Sequence, residues 1–185
     1  MRILAFVLAA SILTACSADD SAGTDHPTPD VSSGAAGDDL AAHTPTDLRH
    51  PCRAVPARTA GRVLGARVTA RKVTSDLAPR TLTCSYEPDS GDNGALFLEI
   101  QSAPDPTSLD ALVRLYVGVD RLQHHPVQVE GADDAEVVLQ PDDHLVTVFA
   151  KQGFVTHSVI LRFDDLERGE PIAVRLARLV VRANR

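Results

Sequence analysis

The chain opens with an unbroken apolar run, Ile3 to Ala10, preceded by Arg2 and followed by small residues up to Cys16. From Ser17 to His50 large apolar side chains almost vanish, and Ala, Ser, Thr, Gly, Pro and Asp take over. Beyond His50 the hydrophobic positions become periodic. Val55 to Leu64 predicts a short helix, with Pro56 in its first turn, Val63 and Leu64 at its apolar end and Gly65 as its stop. Val68 to Val73 and Thr81 to Tyr86 alternate, which places Leu82, Cys84 and Tyr86 on one face of a strand. The Gly- and Asp-rich run "EPDSGDNG" then turns the chain into a second alternating segment carrying Leu96, Leu98 and Ile100.

After Pro104 and Pro106 the period changes. Leu109, Leu112, Val113, Tyr116 and Val119 fall at three-and-four spacing, with Thr107 or Ser108 as the N-cap and Gly118 as a weak point. Strand patterns resume at Val127 to Val129, Ala135 to Leu139, Leu145 to Ala150 and Phe154 to Leu161, the last two joined by a tight turn at Gln152 and Gly153. The chain closes on an amphipathic helix with Pro171 in its first turn and Ile172, Leu176, Leu179 and Val180 on one side. Hairpin-linked strands with interspersed helices predict an α+β domain over 51–185. It is a mainly antiparallel sheet of about six strands packed with two or three helices as a two-layer sandwich, covered on one face.

Residues 1–15 have the layout of a secretory signal segment and are too short to span a bilayer, which takes about 20 apolar residues. Leu13, Thr14, Ala15 and Cys16 resemble the lipobox of bacterial lipoproteins, in which the signal is cut before the cysteine and the sulfur carries a diacylglyceryl group. Cys16 is then an anchor rather than a nucleophile; the plain alternative is a signal peptide with a chance cysteine. Residues 16–50 read as the lipidated cysteine and a disordered acidic linker that spaces the domain on the order of 30 Å from the membrane. The implied address is the outer face of the cytoplasmic membrane. In that oxidising space Cys52 and Cys84 are expected to pair, against a metal pair or two buried thiols.

The net charge of −7 resides mostly in the linker, where seven aspartates face Arg49 alone, so no nucleic-acid footprint follows. Within the domain, arginines crowd residues 53–80 and carboxylates crowd 130–143, as two solvated faces or as charges paired across a sheet.

The stretches "HPCRAVPARTAGRVLG", "LTCSYEPDSGDNGALFLEI" and "VEGADDAEVVL", ahead of a hairpin and a terminal amphipathic helix, resemble a family of actinobacterial lipoproteins of unknown function. The resemblance spans 51–185. It implies anchoring, a disulfide and an α+β fold, and it carries over no catalytic residue.

Chemistry is sparse. Gly131 to Ala135, with Asp133 and Asp134, reads as a turn rather than a calcium site, because adjacent carboxylates need several more oxygen ligands. Asp142 and Asp143 sit at a hairpin tip. Neighbouring His124 and His125 point apart, and Ser158 beside His157 lies on the other side of a strand, so neither a zinc site nor a triad is expected. No cofactor is implied. Arg175, Arg178, Arg182 and Arg185 repeat at three, four and three along the last helix, an anion-binding candidate for lipid or polymer phosphate or simply its wetted side. The expected function is a non-enzymatic ligand-binding or protein-interaction module of the cell envelope, with a lipid-like ligand or an envelope protein as partner. The competing reading is an envelope hydrolase with His144 or His157 as base. Oligomeric state is left open.

Overall fold

A computed structural model describes residues 48–76, 78, 80–89, 97–118 and 122–185. The signal segment, Cys16, nearly all of the linker, Leu96 and Val119 lie outside the described residues. The fold is α+β: helices α1 (Pro51–Ala54), α2 (Ala57–Leu64), α3 (Leu109–Val117) and α4 (Leu166–Ala183) accompany strands β1 (Val68–Val73), β2 (Leu82–Pro88), β3 (Phe97–Pro104), β4 (Gln123–Pro126), β5 (Asp134–Gln140), β6 (Leu145–Gln152) and β7 (Val155–Arg162).

The strands form one antiparallel sheet in the order β1-β2-β3-β7-β6-β5-β4. Two meanders, β1-β2-β3 and β4-β5-β6-β7, are thus fused along β3 and β7, which pair over eight residues from Phe97 opposite Arg162 to Pro104 opposite Val155. Alternation along this ladder sends Leu98, Ile100, Val159 and Leu161 to one face, where they join Tyr86, Val146 and Val148 beneath α4. Helix α4 closes that core with Ala173, Leu176, Ala177, Val180 and Val181, all fully buried. Ile172 and Leu179, expected on the same side as Leu176 and Val180, pack against this core but are only partly buried.

Several expected boundaries move for physical reasons. The helix expected from Val55 starts at Ala57, because Pro56 takes an extended conformation and caps it, and a separate helical turn, α1, precedes it over Pro51–Ala54 where none was expected. Gly65 ends α2 at φ 72°, a left-handed cap that glycine adopts without steric cost. The last helix starts five residues before Pro171, since Asp165 accepts a hydrogen bond from the Arg168 amide and supplies the stronger start. The strand expected at Val127 to Val129 forms instead over Gln123–Pro126. Val127 keeps one bond, its amide to the Ala135 carbonyl, before the chain leaves the ladder.

The sheet has seven strands rather than six, and it is not covered on one face only. Helix α3 crosses to the opposite face and buries Leu109 and Val113 against Val138 and Phe149. There Tyr116 meets Phe149 edge-on, ring centroids 5.2 Å apart at 75°. Helices α1, α2 and α4 make one layer, and α3 covers part of the other side.

Candidate functional site

The disulfide Cys52–Cys84 joins α1 to β2 with an S–S distance of 1.99 Å and Cα atoms 5.2 Å apart. Cys84 is fully buried. Beside it, Tyr86 donates its buried hydroxyl to the Val55 carbonyl at 2.7 Å, fastening the far end of α1 to the same strand, and burial pushes that phenol up from 10.0. The Arg49 amide donates to Asn184 Oδ1 at 2.6 Å, so the first described residues are stitched to the end of α4.

The arginines expected on α4 do share its solvent side, because the opposite side is taken by the core: Arg175, Arg178, Arg182 and Arg185 are all exposed. Their surroundings differ. Arg178 borders a cavity of about 610 Å³ with Glu130, Asp133 and Asp134, and Arg185 lies over Gly131 and 4.0 Å from Glu130. Arg175 and Arg182 have no carboxylate partner among the described residues. A helix with Pro171 in its first turn leaves out Arg168, which is also exposed and lies on α4 seven residues before Arg175.

Those acidic residues build a turn. Gly131 has φ 94°, Asp133 accepts the Gly153 amide at 2.6 Å, and Asp134 accepts the Ala135 amide at 2.9 Å. The carboxylates hold backbone, and among the described residues no group of three or more His, Cys, Asp or Glu is placed to hold a metal ion.

The arginines early in the domain join the same layer. Helices α1 and α2 pack against α4, and Arg53, Arg58 and Arg62 point to solvent. No acidic residue occurs over 48–75. The field of this region is felt by His50, whose pKa is lowered first by burial and then by Lys72 and Arg53.

Of the two histidines named as candidate bases, His157 is fully buried in the core. The β3–β7 register sets it opposite Ser102, and the two side chains meet at 2.8 Å between Ser102 Oγ and His157 Nδ1. Nε2 faces Gln152 Oε1 at 3.3 Å. An amide oxygen only accepts, so Nε2 carries the proton and Nδ1 takes the serine hydroxyl. Desolvation lowers His157 from 6.5 to about 4. This serine–histidine contact is sealed from solvent and polarises nothing a substrate could reach. His144 sits exposed at the end of the 3-10 turn Pro141–Asp143, with φ 55°, and makes no side-chain bond among the described residues.

His124 and His125 diverge as expected. His124 pairs with Glu136 on the α3 side of the sheet, and His125 reaches Glu170 of α4 at 3.0 Å on the other. On the half of the sheet formed by β1, β2, β3 and β7, no described helix packs against the face opposite α4. Its side chains are mixed: Arg71 pairs with Glu87 at 2.8 Å and Gln101 donates to Glu99 at 2.6 Å, beside Ser158, while Phe97 and Ile160 lie on the same face. No protein-family model, no curated protein and no solved structure matches the chain.

Proposed function

We propose that this chain is a lipid-anchored lipoprotein of the cell envelope, held through Cys16 at the outer face of the cytoplasmic membrane, and that its domain is a non-enzymatic interaction module. The observation that carries the reading is the Cys52–Cys84 disulfide. Such bonds persist outside the reducing cytosol. With three cysteines in the chain, the pairing leaves Cys16 as the one thiol free for acylation, at the end of an apolar segment. The likeness of its surrounding motifs to actinobacterial lipoproteins of unknown function supports the same address.

On that open face the polar groups of Glu87, Glu99, Gln101 and Ser158, interspersed with Phe97 and Ile160, favour an envelope protein as partner over a lipid-like ligand. The hydrolase reading gains no support from His157, whose ring nitrogens are both engaged within the core. Intact mass of the protein taken from its host membrane tests the proposal. The expected species begins at Cys16 and carries a diacylglyceryl group. A processed chain with an unmodified first residue, found in the aqueous phase of a detergent partition, overturns it.

A further inference from the structure

The early arginines and the α4 arginines lie far apart in sequence and share one helical layer. Arg49, Arg53, Arg58, Arg62, Arg175 and Arg182, the six away from the acidic margins, are exposed and have no carboxylate partner among the described residues. Arg58 and Arg62 are four apart on α2, a like-charge pair that destabilises a helix unless something anionic meets it. The acidic residues near this layer stand at its margins or are engaged: Asp164, Asp165 and Glu167 at the start of α4, Glu170 paired with His125, and Glu130, Asp133 and Asp134 around Arg178. The linker joins the domain at this same place, because Arg49 is bonded to Asn184 at the end of α4 and His50 caps α1.

We infer that the α1–α2–α4 layer is a docking surface for the phosphate groups of anionic phospholipids, which lays the domain helix-side down on the membrane that carries its anchor. The inference rests on the membrane-anchored reading for its setting, but its chemistry stands apart from acylation. Guanidinium groups present forked donors matched to phosphate and stay charged at any physiological pH. Each basic residue near an anionic leaflet raises partitioning by about fivefold. A few of the six in simultaneous contact therefore suffice for stable docking of a domain already held nearby.

The test uses the full chain carrying Cys16→Ser, so that no acyl group contributes, and measures co-sedimentation with vesicles of equal parts phosphatidylglycerol and phosphatidylcholine. Vesicles of phosphatidylcholine alone measure whatever the apolar segment over 3–10 adds, a term indifferent to salt. The expected result is a selective gain on the anionic vesicles that falls at least tenfold when salt is raised from about 0.05 to about 0.5 M. Replacing the six arginines by Gln removes that gain, and replacing them by Lys keeps most of it, with melting temperature confirming that both variants fold. Equal binding by the Gln variant and the parent overturns the inference. So does complete displacement by inorganic phosphate at the same phosphate concentration, which assigns the layer to a soluble anion. Failure of the anchor itself shows separately, as an unmodified Cys16 in the wild-type mass.

Discussion

His157 should make this domain sensitive to mild acid. The ring is fully buried, accepts from Ser102 at 2.8 Å and faces Gln152, so the folded state holds it neutral and its pKa falls to about 4 from 6.5. Between those values the unfolded chain binds a proton that the native state refuses. Stability is therefore complete above pH 6.5 and is lost as pH falls towards 4. A gap of that size corresponds to about 3 kcal/mol, or a melting temperature lower by roughly 10 °C for a domain of this length. His157→Gln removes the titration. Its stability at neutral pH drops by about 1–3 kcal/mol because the packing and the Ser102 bond are disturbed, yet its decline between pH 6.5 and 4 becomes shallower than the parent's. Urea unfolding at half-unit pH steps compares the two slopes, and His50 cancels because both proteins carry it. Parallel slopes would refute the assignment, as would an imidazole NMR signal of His157 titrating near 6.5 in the folded parent.

Three further outcomes follow from the fold. Breaking Cys52–Cys84, by reductant or by the double Cys→Ser variant, opens a loop with a sequence separation of 32 and should cost about 3–4 kcal/mol, lowering the melting temperature by roughly 10–20 °C; unchanged melting in reductant would mean the bond contributes nothing. Tyr86→Phe deletes the hydroxyl that serves the Val55 carbonyl and should cost about 1–2 kcal/mol in chemical denaturation, with no change in the denaturant slope. Gly131→Ala places a Cβ 2.1 Å from the end of Arg185, a side chain free to swing away, so the cost of about 1 kcal/mol should come from φ 94° and should persist when Arg185→Ala is added. Full rescue by that second change would show that contact, not backbone, sets the cost.

Much of the fold was legible because it depends on local pattern. Period-two spacing identified β3, β6 and β7, with Leu98 and Ile100 on the buried side, and three-and-four spacing identified α3 and α4. The redox argument pairs Cys52 with Cys84, and mere adjacency in the chain sets His124 and His125 apart. What escaped depends on pairings between distant segments. Ser102 and His157 meet only because β7 inserts beside β3, a strand order that hairpin signals leave undetermined. The apolar stripe of α3 shows that it packs, but Leu109 and Val113 serve either face of a sheet equally well. Val127 to Val129 has strand composition, yet the ladder belongs to the polar Gln123–Pro126, because register with β5 outweighs propensity.

The charge pattern was visible as a list and meaningless as one. Arginines over 53–62 and over 168–185 share a surface only because α1 and α2 are clamped onto the layer that α4 completes. That clamp is built three ways: the disulfide to β2, the Tyr86 hydroxyl at Val55, and the Arg49 amide on Asn184. All three act within the first few described residues, where any pull from a membrane anchor enters the domain. Loss of the disulfide would therefore do more than lower stability. It would let α1 peel away under load and carry Arg53 out of the layer, so reductant should weaken vesicle binding before it unfolds the sheet. The fused ladder of β3 and β7 keeps the open half-sheet on the side away from that layer, so a domain lying on its arginines would present Glu87, Glu99 and Gln101 outward.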